Sequence, residues 1–494
     1  LIDLYRADLV AGRLTEAEAR DLLARWMLPT DMKFHIEDNP WPETSTCMEL
    51  GGCDADGKKV WNELTRVIIE THRDYGLFNP KLNCRFSTDS PAEYLDLISR
   101  TLLEGHNHFA LLNDGVLIPA LVRSGKTERE ARLYVNGGCQ ETITEGVEHS
   151  AGAFFYFNLA RTLDLCLQPA PQPREFNEEE LRPLPETIEK PPSFEEFYAE
   201  YLAGVKRSLQ VGAEWSLTLG REQWRIQPCP FFSTTLEGCI EKGLDYSQGG
   251  AKYNPSGIAL VGMGTVVDSL MVVKKAVYEE GWLTLEELRK ALTDNWEGHE
   301  ELRARVRSLT RYGHGDPEVD ELAARLVADL AAYVQTLPAE RGGTFQGSFF
   351  VYYAFSSMGA HVCATPDGRG DGDLMTQGVA PDRVTAPASL SEVFHTLSRL
   401  DFLDYPGNAV LDVQLPMGPA LPVETLSATI RTFAALGGPT LQLNCVSLEE
   451  LLDACVHPDQ HRDLTVRISG LSARFVCLTE AVQEEIIGRA MAAV

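Results

Sequence analysis

Hydrophobic residues follow two different spacings along this chain, and the two alternate. Apolar side chains three and four residues apart predict amphipathic helices, whereas short apolar runs rich in β-branched residues predict strands. Strand patterns lie at 408–415 and 440–446. Helix patterns cover 1–35 (as one or two helices, with Thr15 as an N-cap), 91–103, 127–134, 194–219, 267–280, 285–294, 317–333 and 423–436. Helices that alternate with short strands are typical of an α/β architecture.

A further apolar run near the end of the chain stops at a single glycine. Residues 465–475 read TVRISGLSARF, with Arg467 before Gly470 and Arg474 after it. Glycine tolerates backbone angles that other residues avoid. The pattern therefore predicts a strand that ends in a glycine turn.

The composition is that of a globular protein with a large core. The 494 residues are 44% hydrophobic and 23% charged, a length typical of about two to four domains or of one large barrel with insertions. A formal net charge of −28 argues against binding to nucleic acid or to an anionic membrane surface. Because no run of about eighteen uncharged apolar residues occurs, no membrane span is expected.

The cysteines and the chain start bear on location and processing. Eleven cysteines are scattered without a CxxC pair, which fits neither a small disulfide scaffold nor a zinc ribbon. We therefore expect reduced, mostly buried thiols and a cytoplasmic location. The chain opens at Leu1 inside a helix pattern, without methionine or a signal-peptide pattern, which leaves open that the natural protein begins upstream. A stretch rich in proline and glutamate at about 168–193 predicts a surface excursion or an interdomain connection.

One short segment brings a cysteine and a carboxylate together beside two glycines: GGCQE, residues 137–141. On an extended backbone the Cys139 thiol and the Glu141 carboxylate project to the same side, where they can serve one reactive centre as hydrogen acceptor and proton acceptor. The alternative is a buried cysteine beside an exposed glutamate. Phosphate-loop, HExxH and GxSxG motifs are absent from the sequence. His106 and His108 lack a third ligand at suitable spacing, so no metal site is predicted.

These segments resemble those of the glycyl radical enzymes, the superfamily of pyruvate formate-lyase. The sequence RISGL at 467–471 is similar to the family's radical signature RV[SA]GY, with Leu471 at a position where an aromatic residue is usual. The sequence GCQE at 138–141 matches the family's GCxE cysteine loop. Further similar segments follow in the family's order: LGG at 50–52, GGAKYN at 249–254, DSL at 268–270, NWEGHE at 295–300 and ATPDGR at 364–369.

The resemblance implies a fold. It is a ten-stranded α/β barrel of two antiparallel five-stranded halves, wrapped by helices. Residues 1–422 would form the barrel domain with the cysteine loop, and residues 423–494 the C-terminal glycine radical domain. The loops of Cys139 and Gly470 would enter the barrel from opposite ends and meet inside it. Most of the N-terminal helical portion of typical members is missing, so the N-terminal part of the barrel would be shortened.

The resemblance also implies a chemistry. A radical stored on Gly470 would generate a thiyl radical on Cys139, which takes hydrogen from a small organic substrate while Glu141 acts as a base. Residues that would support the radical loop are Arg467, Ser469, Leu471 and Ser472. No bound cofactor is expected. A separate activating enzyme that uses S-adenosylmethionine and an iron–sulfur cluster would install the radical, and the family also allows a homodimer.

Three functions stay open. A single cysteine disfavours acyl transfer, and Cys-x-Glu is similar to the eliminating lyases (dehydratases, C–N or C–S lyases) or to the arylacetate decarboxylases. The residues at 151–153, AGA, stand where diol dehydratases have Trp-His-Asp, which argues against a simple diol. Candidates for the substrate pocket are Gln140, Thr142, Phe154 and Phe155, although the aromatic run at 154–157 also fits a buried helix face. The third function is that of a degenerate, non-catalytic paralogue, and a bacterial microcompartment stays open as a location.

Overall fold

The chain forms two compact units: Leu1–Gln140 with Val410–Val494 (unit 1), and Glu141–Ala409 (unit 2). The computed structural model describes residues 1–31, 46–137, 139–168, 187–351, 354–382, 388–415, 421–468 and 470–492. Gly138, Ser469 and most of the predicted surface excursion (169–186) lie outside these ranges, and Leu471 is described by its backbone alone.

The strands are short, and several are buried along their whole length. In chain order the described strands are β1 (Cys47–Gly51), β2 (Lys81–Phe86), β3 (Phe109–Asn113), β4 (Tyr134–Asn136), β5 (Thr142–Thr144), β6 (Ala151–Asn158), β7 (Ser256–Val261), β8 (Phe345–Ser348), β9 (Val410–Leu415), β10 (Thr440–Cys445), β11 (Thr465–Ile468) and β12 (Leu471–Arg474).

Helices occupy most of the sequence between the strands. In chain order the described α-helices are α1 (Ile2–Val10), α2 (Glu16–Asp31), α3 (Glu63–Asp74), α4 (Ala92–Leu103), α5 (Asp114–Arg123), α6 (Glu128–Ala131), α7 (Leu159–Leu167), α8 (Phe194–Ile226), α9 (Pro230–Ser233), α10 (Cys239–Lys242), α11 (Met263–Val272, continued by a π-helix over Val273–Glu279), α12 (Leu285–Thr293), α13 (Glu300–Arg307), α14 (Pro317–Val334), α15 (Ala354–Ser357), α16 (Leu390–Leu397), α17 (Val423–Ala435), α18 (Leu448–Val456) and α19 (Glu480–Ala492).

Unit 1, in its described residues, is built on a mixed five-stranded sheet in the order β1-β2-β3-β10-β9. Strands β1, β2 and β3 are parallel, β3 and β10 are antiparallel, and β10 and β9 are parallel. Every residue of β2, β3 and β10 is buried, as expected for strands covered on both faces. The strand direction therefore reverses once within this sheet, between β3 and β10.

One polar side chain fixes the end of β3. The Asn113 side-chain oxygen accepts a hydrogen bond from the Gly115 amide at 3.0 Å and so caps α5. Its amide group donates to the carbonyls of Ala434 at 3.2 Å and Gly438 at 2.8 Å, at the end of α17. Asn113 thereby joins two helix termini to the sheet, and its buried polar groups are hydrogen-bonded.

Unit 2, over the residues that the structure describes, contains a parallel three-stranded sheet in the order β6-β7-β8. Close backbone packing accounts for two glycines of the GGAKYN segment. A Cβ at Gly249 would lie 2.3 Å from the Arg341 carbonyl oxygen, and one at Gly250 would lie 2.2 Å from that of Leu244. In the DSL segment, burial raises the pKa of Asp268 to about 8, and the Tyr312 amide donates to its carboxyl group at 2.7 Å.

Most of the predicted helices and strands are confirmed, and at least one end of each lies within four residues of its predicted position. The Thr15 hydroxyl accepts from the Glu18 amide at 3.2 Å and so caps α2 as predicted. The helix predicted at 127–134 is wrong beyond Ala131, because the Tyr134 hydroxyl donates to buried Asp114 at 2.8 Å and Tyr134 begins β4. The helix at 194–219 continues to Ile226. The aromatic run at 154–157 lies in strand β6 and not on a helix face.

Candidate functional site

The base of the cysteine loop is anchored on the sheet of unit 1. Glu49 on β1 accepts from the Asn136 amide at 2.7 Å and from the Asn83 side chain at 2.8 Å. Burial raises the pKa of Glu49. The Cys47 thiol donates to the Gly137 carbonyl at 3.2 Å. The residues that lead into Cys139 are therefore tied to β1 at two points.

A buried ion pair supports the same loop from its other side. Arg85 donates to both carboxylate oxygens of Asp114, at 2.9 and 3.1 Å, and its guanidinium carbon lies 4.1 Å from the centre of the Tyr134 ring. Arg85 and Asp114 are 5% and 6% exposed. Removal of either partner would leave an uncompensated buried charge, so the pair is expected to hold Tyr134, the first residue of β4, in its place before the cysteine loop.

Strand β11 leads to the predicted turn at Gly470, and strand β12 follows it, so that the two strands form a hairpin that the sequence did not predict. Strands β11 and β12 are antiparallel and pair Arg467 with Ser472. Gly470 has a φ of +102°, which glycine adopts without strain. A Cβ built on Gly470 would lie 3.0 Å from the Cys139 Cβ and 3.1 Å from its carbonyl oxygen. Because a bond of this kind is about 1.5 Å long, the Gly470 Cα lies within about 4.5 Å of the Cys139 Cβ.

Side chains bind both hydrogen-bonding groups of Gly470. Its amide donates to the Gln442 side-chain oxygen at 3.1 Å, and its carbonyl accepts from the Lys81 ammonium at 3.1 Å. The same ammonium lies 3.5 Å from the Cys139 carbonyl oxygen. Gln442 and Lys81 are 1% and 2% exposed. The two residues proposed for hydrogen exchange are thus linked through one buried cation.

Arg467 connects the hairpin to β10. It is fully buried, and burial lowers its pKa to about 10. Its backbone amide donates to the Asn444 side-chain oxygen, and its carbonyl accepts from the Asn444 amide group at 2.6 Å. The guanidinium donates to Gln442 at 3.3 Å and to the Ser472 hydroxyl at 3.2 Å. Arg467 and Ser472, both predicted to support the radical loop, therefore lie in one network.

Two residues that precede β3 complete this network. The Ser472 hydroxyl donates to the Asn107 carbonyl at 3.0 Å and lies 3.3 Å from His108 Nδ1. Burial, followed by the neighbouring His72, His106 and Arg467, lowers the pKa of His108 well below its usual value, so the imidazole is neutral at pH 7. The His108 ring packs against Phe78 with ring centres 5.3 Å apart. A neutral histidine beside a buried arginine avoids a second buried positive charge.

Glu141 and Thr142 lie in unit 2. A Cβ at Gly152 on β6 would lie 2.4 Å from the Glu141 Cγ and 2.8 Å from its carboxylate carbon. The Glu141 side chain is therefore packed on the backbone of Gly152, where only glycine leaves room for it. The Thr142 hydroxyl donates to the Pro406 carbonyl. Gln140, at the end of the first segment of unit 1, is fully buried.

The two candidate pocket phenylalanines lie on β6. Phe155 contacts the Phe345 ring with centres 5.7 Å apart, and its ring edge lies 2.9 Å from a Cβ position built at Gly212 of α8. Both Phe154 and Phe155 are half-buried. The Phe155 ring thus contributes to packing within unit 2, and a role of either ring in substrate binding stays a prediction.

Several residues of the network were missed from the sequence. Gln442 and Asn444 alternate with leucines inside the apolar run at 440–446. A period of two in polarity was the available signal, because alternate residues of a strand face the same side. Lys81 at the start of β2 gave a weaker signal, since a lysine at a strand end is usually exposed.

The described ranges contain neither a cluster of metal ligands nor a membrane-spanning helix. No three histidine, cysteine, aspartate or glutamate residues of the described chain come together as a metal site. Among the helices that the structure describes, none is both long and apolar enough to cross a bilayer.

Comparison with family models gives two matches on this chain. The model described as pyruvate formate lyase-like matches residues 1–357, and the model described as glycine radical matches residues 419–476. The second match contains Gly470 and the whole hairpin. An organic glycyl radical is therefore the group that this part of the family carries.

Individual relatives agree with these matches. The trans-4-hydroxy-L-proline dehydratase of Clostridioides difficile is 27% identical, over 98% of this chain and 62% of its own length. The isethionate sulfite-lyase of Desulfovibrio desulfuricans is also 27% identical, over 98% of this chain and 60% of its own length. The crystal structure of a glycyl radical enzyme from Archaeoglobus fulgidus superposes with a TM-score of 0.90 at 27% identity, covering 98% of this chain and 63% of that one.

The likeness to these proteins extends over nearly all of this chain but over only part of each relative. The chain has the fold of the Archaeoglobus protein, an α/β fold of the pyruvate formate-lyase type. It spans about 60% of the length of the curated relatives that it matches, from 60% to 62% for the two named above.

Proposed function

Because this chain belongs to the pyruvate formate lyase-like family, we propose that it is a glycyl radical enzyme in which Gly470 stores the radical and Cys139 carries it to the substrate. The observation that supports this most directly is the contact between the two residues. A Cβ on Gly470 would lie 3.0 Å from the Cys139 Cβ. A glycine that leaves little room for a side chain, and that lies against a cysteine, fits the storage of an unpaired electron on its Cα.

The chemistry follows from bond strengths. A radical on a glycine Cα is stabilised by the amide nitrogen on one side and the carbonyl on the other, and its C–H bond is comparable in strength to a thiol S–H bond. Hydrogen can therefore pass reversibly between the Cys139 thiol and the Gly470 Cα. The Cys139 thiyl radical then takes hydrogen from an unactivated substrate C–H bond. Exclusion of water and oxygen protects both radicals.

We assign the role of base to Glu141. After Cys139 has removed a hydrogen atom, a substrate hydroxyl beside the radical carbon becomes more acidic, and a carboxylate can accept its proton. Loss of a neighbouring group then gives a product radical, which takes the hydrogen back from Cys139. The names of the two relatives reported above, a dehydratase and a sulfite-lyase, favour elimination from a small polar substrate as the reaction.

Activation requires a second protein. We propose that a radical S-adenosylmethionine enzyme with an iron–sulfur cluster removes the hydrogen atom from Gly470. The Gly470 Cα lies inside unit 1, where the residue is buried. The glycine radical domain, residues 423–494, must therefore loosen to meet that partner.

One experiment tests the proposal and separates its alternatives. The chain is incubated anaerobically with a radical S-adenosylmethionine activase encoded beside its gene, and electron paramagnetic resonance is recorded. We expect a doublet from a glycyl radical, followed by release of water, an amine or sulfite from one member of a panel of hydroxyproline, amino alcohols and hydroxyalkyl sulfonates. Carbon dioxide from an arylacetate would instead identify a decarboxylase. A folded chain that gives no radical would identify a non-catalytic paralogue.

Replacing Gly152 by alanine tests the position of Glu141. The new methyl group would collide with the Glu141 Cγ, which lies 2.4 Å away, and push the carboxylate out of place. We expect the radical yield to be unchanged and turnover to fall by about a hundredfold, within the range typical of a lost general base. Both quantities are measured on the activated protein, by spin quantitation and by product formation.

The matched control is Glu141→Gln, which keeps the size of the side chain but removes its basicity. It should reproduce the loss of turnover with the same radical yield. Full turnover in Glu141→Gln would exclude Glu141 as the base, and full turnover in Gly152→Ala alone would exclude Gly152 as its support.

A further inference from the structure

The burial of Lys81 calls for a physical reason. An ammonium group taken out of water loses several kcal/mol of solvation unless a partner compensates for it. Lys81 is only 2% exposed, and its Nζ lies 3.1 Å from the Gly470 carbonyl oxygen and 3.5 Å from that of Cys139. The cation interacts electrostatically with the buried Glu49 carboxyl, and it also donates to the backbone of the two residues between which hydrogen is proposed to move.

The opposite side of Gly470 carries the complementary interaction. The Gln442 side-chain oxygen accepts from the Gly470 amide at 3.1 Å, and the Arg467 guanidinium orients that oxygen from 3.3 Å. Gln442 is 1% exposed, so water does not compete for this bond. Gly470 thus has a donor at its carbonyl and an acceptor at its amide.

This arrangement matches the electronic demand of a glycine radical. The unpaired electron is shared with the amide nitrogen, which gives electron density, and with the carbonyl, which withdraws it. A positive donor on the carbonyl oxygen strengthens the withdrawal, and an acceptor on the N–H group strengthens the donation. Both effects are enhanced where water is excluded.

We propose that Lys81 and Gln442 are positioning residues that set the stability and spin distribution of the Gly470 radical relative to the Cys139 thiyl radical. The inference rests on the proposed function. Lys81 contacts the carbonyls of both Cys139 and Gly470, so it also keeps the two loops together. Without its charge the radical on Gly470 would be less stable, and its spin density would shift from the carbonyl towards the Cα.

The test compares Lys81→Met, which keeps the length but not the charge, with Lys81→Arg, which keeps the charge. After anaerobic activation, the doublet splitting from the Gly470 α-hydrogen and the half-life of the signal are recorded. For Lys81→Met we expect a wider splitting and a half-life shortened by about tenfold, since a hydrogen bond to a charged group has about that effect on an equilibrium. Lys81→Arg should restore part of both, and Gln442→Leu should widen the splitting in the same direction.

The matched control is Lys242→Met in unit 2. Lys242 also donates to backbone carbonyls, those of Ala251 at 2.7 Å and Gly249 at 3.3 Å, but far from Gly470 in sequence. It should leave the splitting and the half-life unchanged.

The outcomes separate this inference from the proposed function. Wild-type splitting and half-life in Lys81→Met and Gln442→Leu would overturn the inference and leave the proposed function intact. A folded Lys81→Met chain that shows no radical, beside a wild-type chain that does, would be the largest expected loss of radical stability and would support the inference. Absence of a radical in the wild-type chain would instead overturn the proposed function, and the inference with it. If Lys81→Met does not fold, the splittings of Lys81→Arg and Gln442→Leu decide whether the inference holds.

Discussion

Replacing Gly470 by alanine is expected to abolish the radical signal and all turnover. The new methyl group would lie 3.0 Å from the Cys139 Cβ and 3.1 Å from its carbonyl oxygen, closer than most Cβ contacts in proteins, so the cysteine loop would have to move away. The φ of +102° adds backbone strain for any residue with a Cβ. Electron paramagnetic resonance on the activated protein should show no doublet, and exposure to air should leave the chain uncut, whereas the wild-type chain should be cleaved at Gly470.

Gly437 offers a matched control for this substitution. It follows α17 in the same unit with a φ of +84°, but a Cβ there would meet no atom within 4 Å. Gly437→Ala therefore carries the backbone strain without the collision, at about 1 kcal/mol of stability. It should keep both the radical and the turnover. A doublet of normal intensity in Gly470→Ala would place the radical on another residue.

Cys139→Ser is expected to separate the storage of the radical from its use. The hydroxyl O–H bond is much stronger than a thiol S–H bond, so a radical on Gly470 cannot take hydrogen from serine. We therefore expect a normal doublet after activation and turnover below detection. Air should still cleave this variant at Gly470, which is checked by the mass of the released C-terminal fragment.

The same exchange at Cys455, an exposed cysteine of the same unit, provides the control and should leave turnover unchanged. Measurable turnover in Cys139→Ser would exclude the thiyl mechanism. Loss of the doublet in Cys139→Ser, with the wild-type doublet present, would mean that Cys139 is needed to install the radical and not only to use it.

Local patterns were sufficient to predict much of this molecule. Strand β11 and the turn at Gly470 followed from a β-branched run that ends in a glycine, and the start of α2 followed from the Thr15 cap. Both signals are contained in a few neighbouring residues. Helices such as α14 were predicted almost to their ends because their apolar periodicity extends over many residues.

What could not be predicted depends on contacts between distant parts of the sequence. Tyr134 lies in a strand and not in the predicted helix, because it contacts Asp114 and Arg85 from other elements. Lys81 and Gln442 are separated from Gly470 by 389 and 28 residues. A lysine in isolation predicts an exposed position, and only the folded sheet shows which carbonyl it meets.

The attachment of the hairpin has a consequence for its return after activation. Among the described strands, β11 and β12 pair only with each other, and the side chain of Asn444 holds both the N–H and the C=O of Arg467. The hairpin can therefore move away from β10 without breaking the strand pairing of the five-stranded sheet. Asn444 stays behind as a template with one acceptor and one donor, and a slip by one residue would turn the matching peptide groups away. If the hairpin opens for activation as proposed, Asn444 therefore selects the register in which Gly470, and not its neighbour, returns to Cys139.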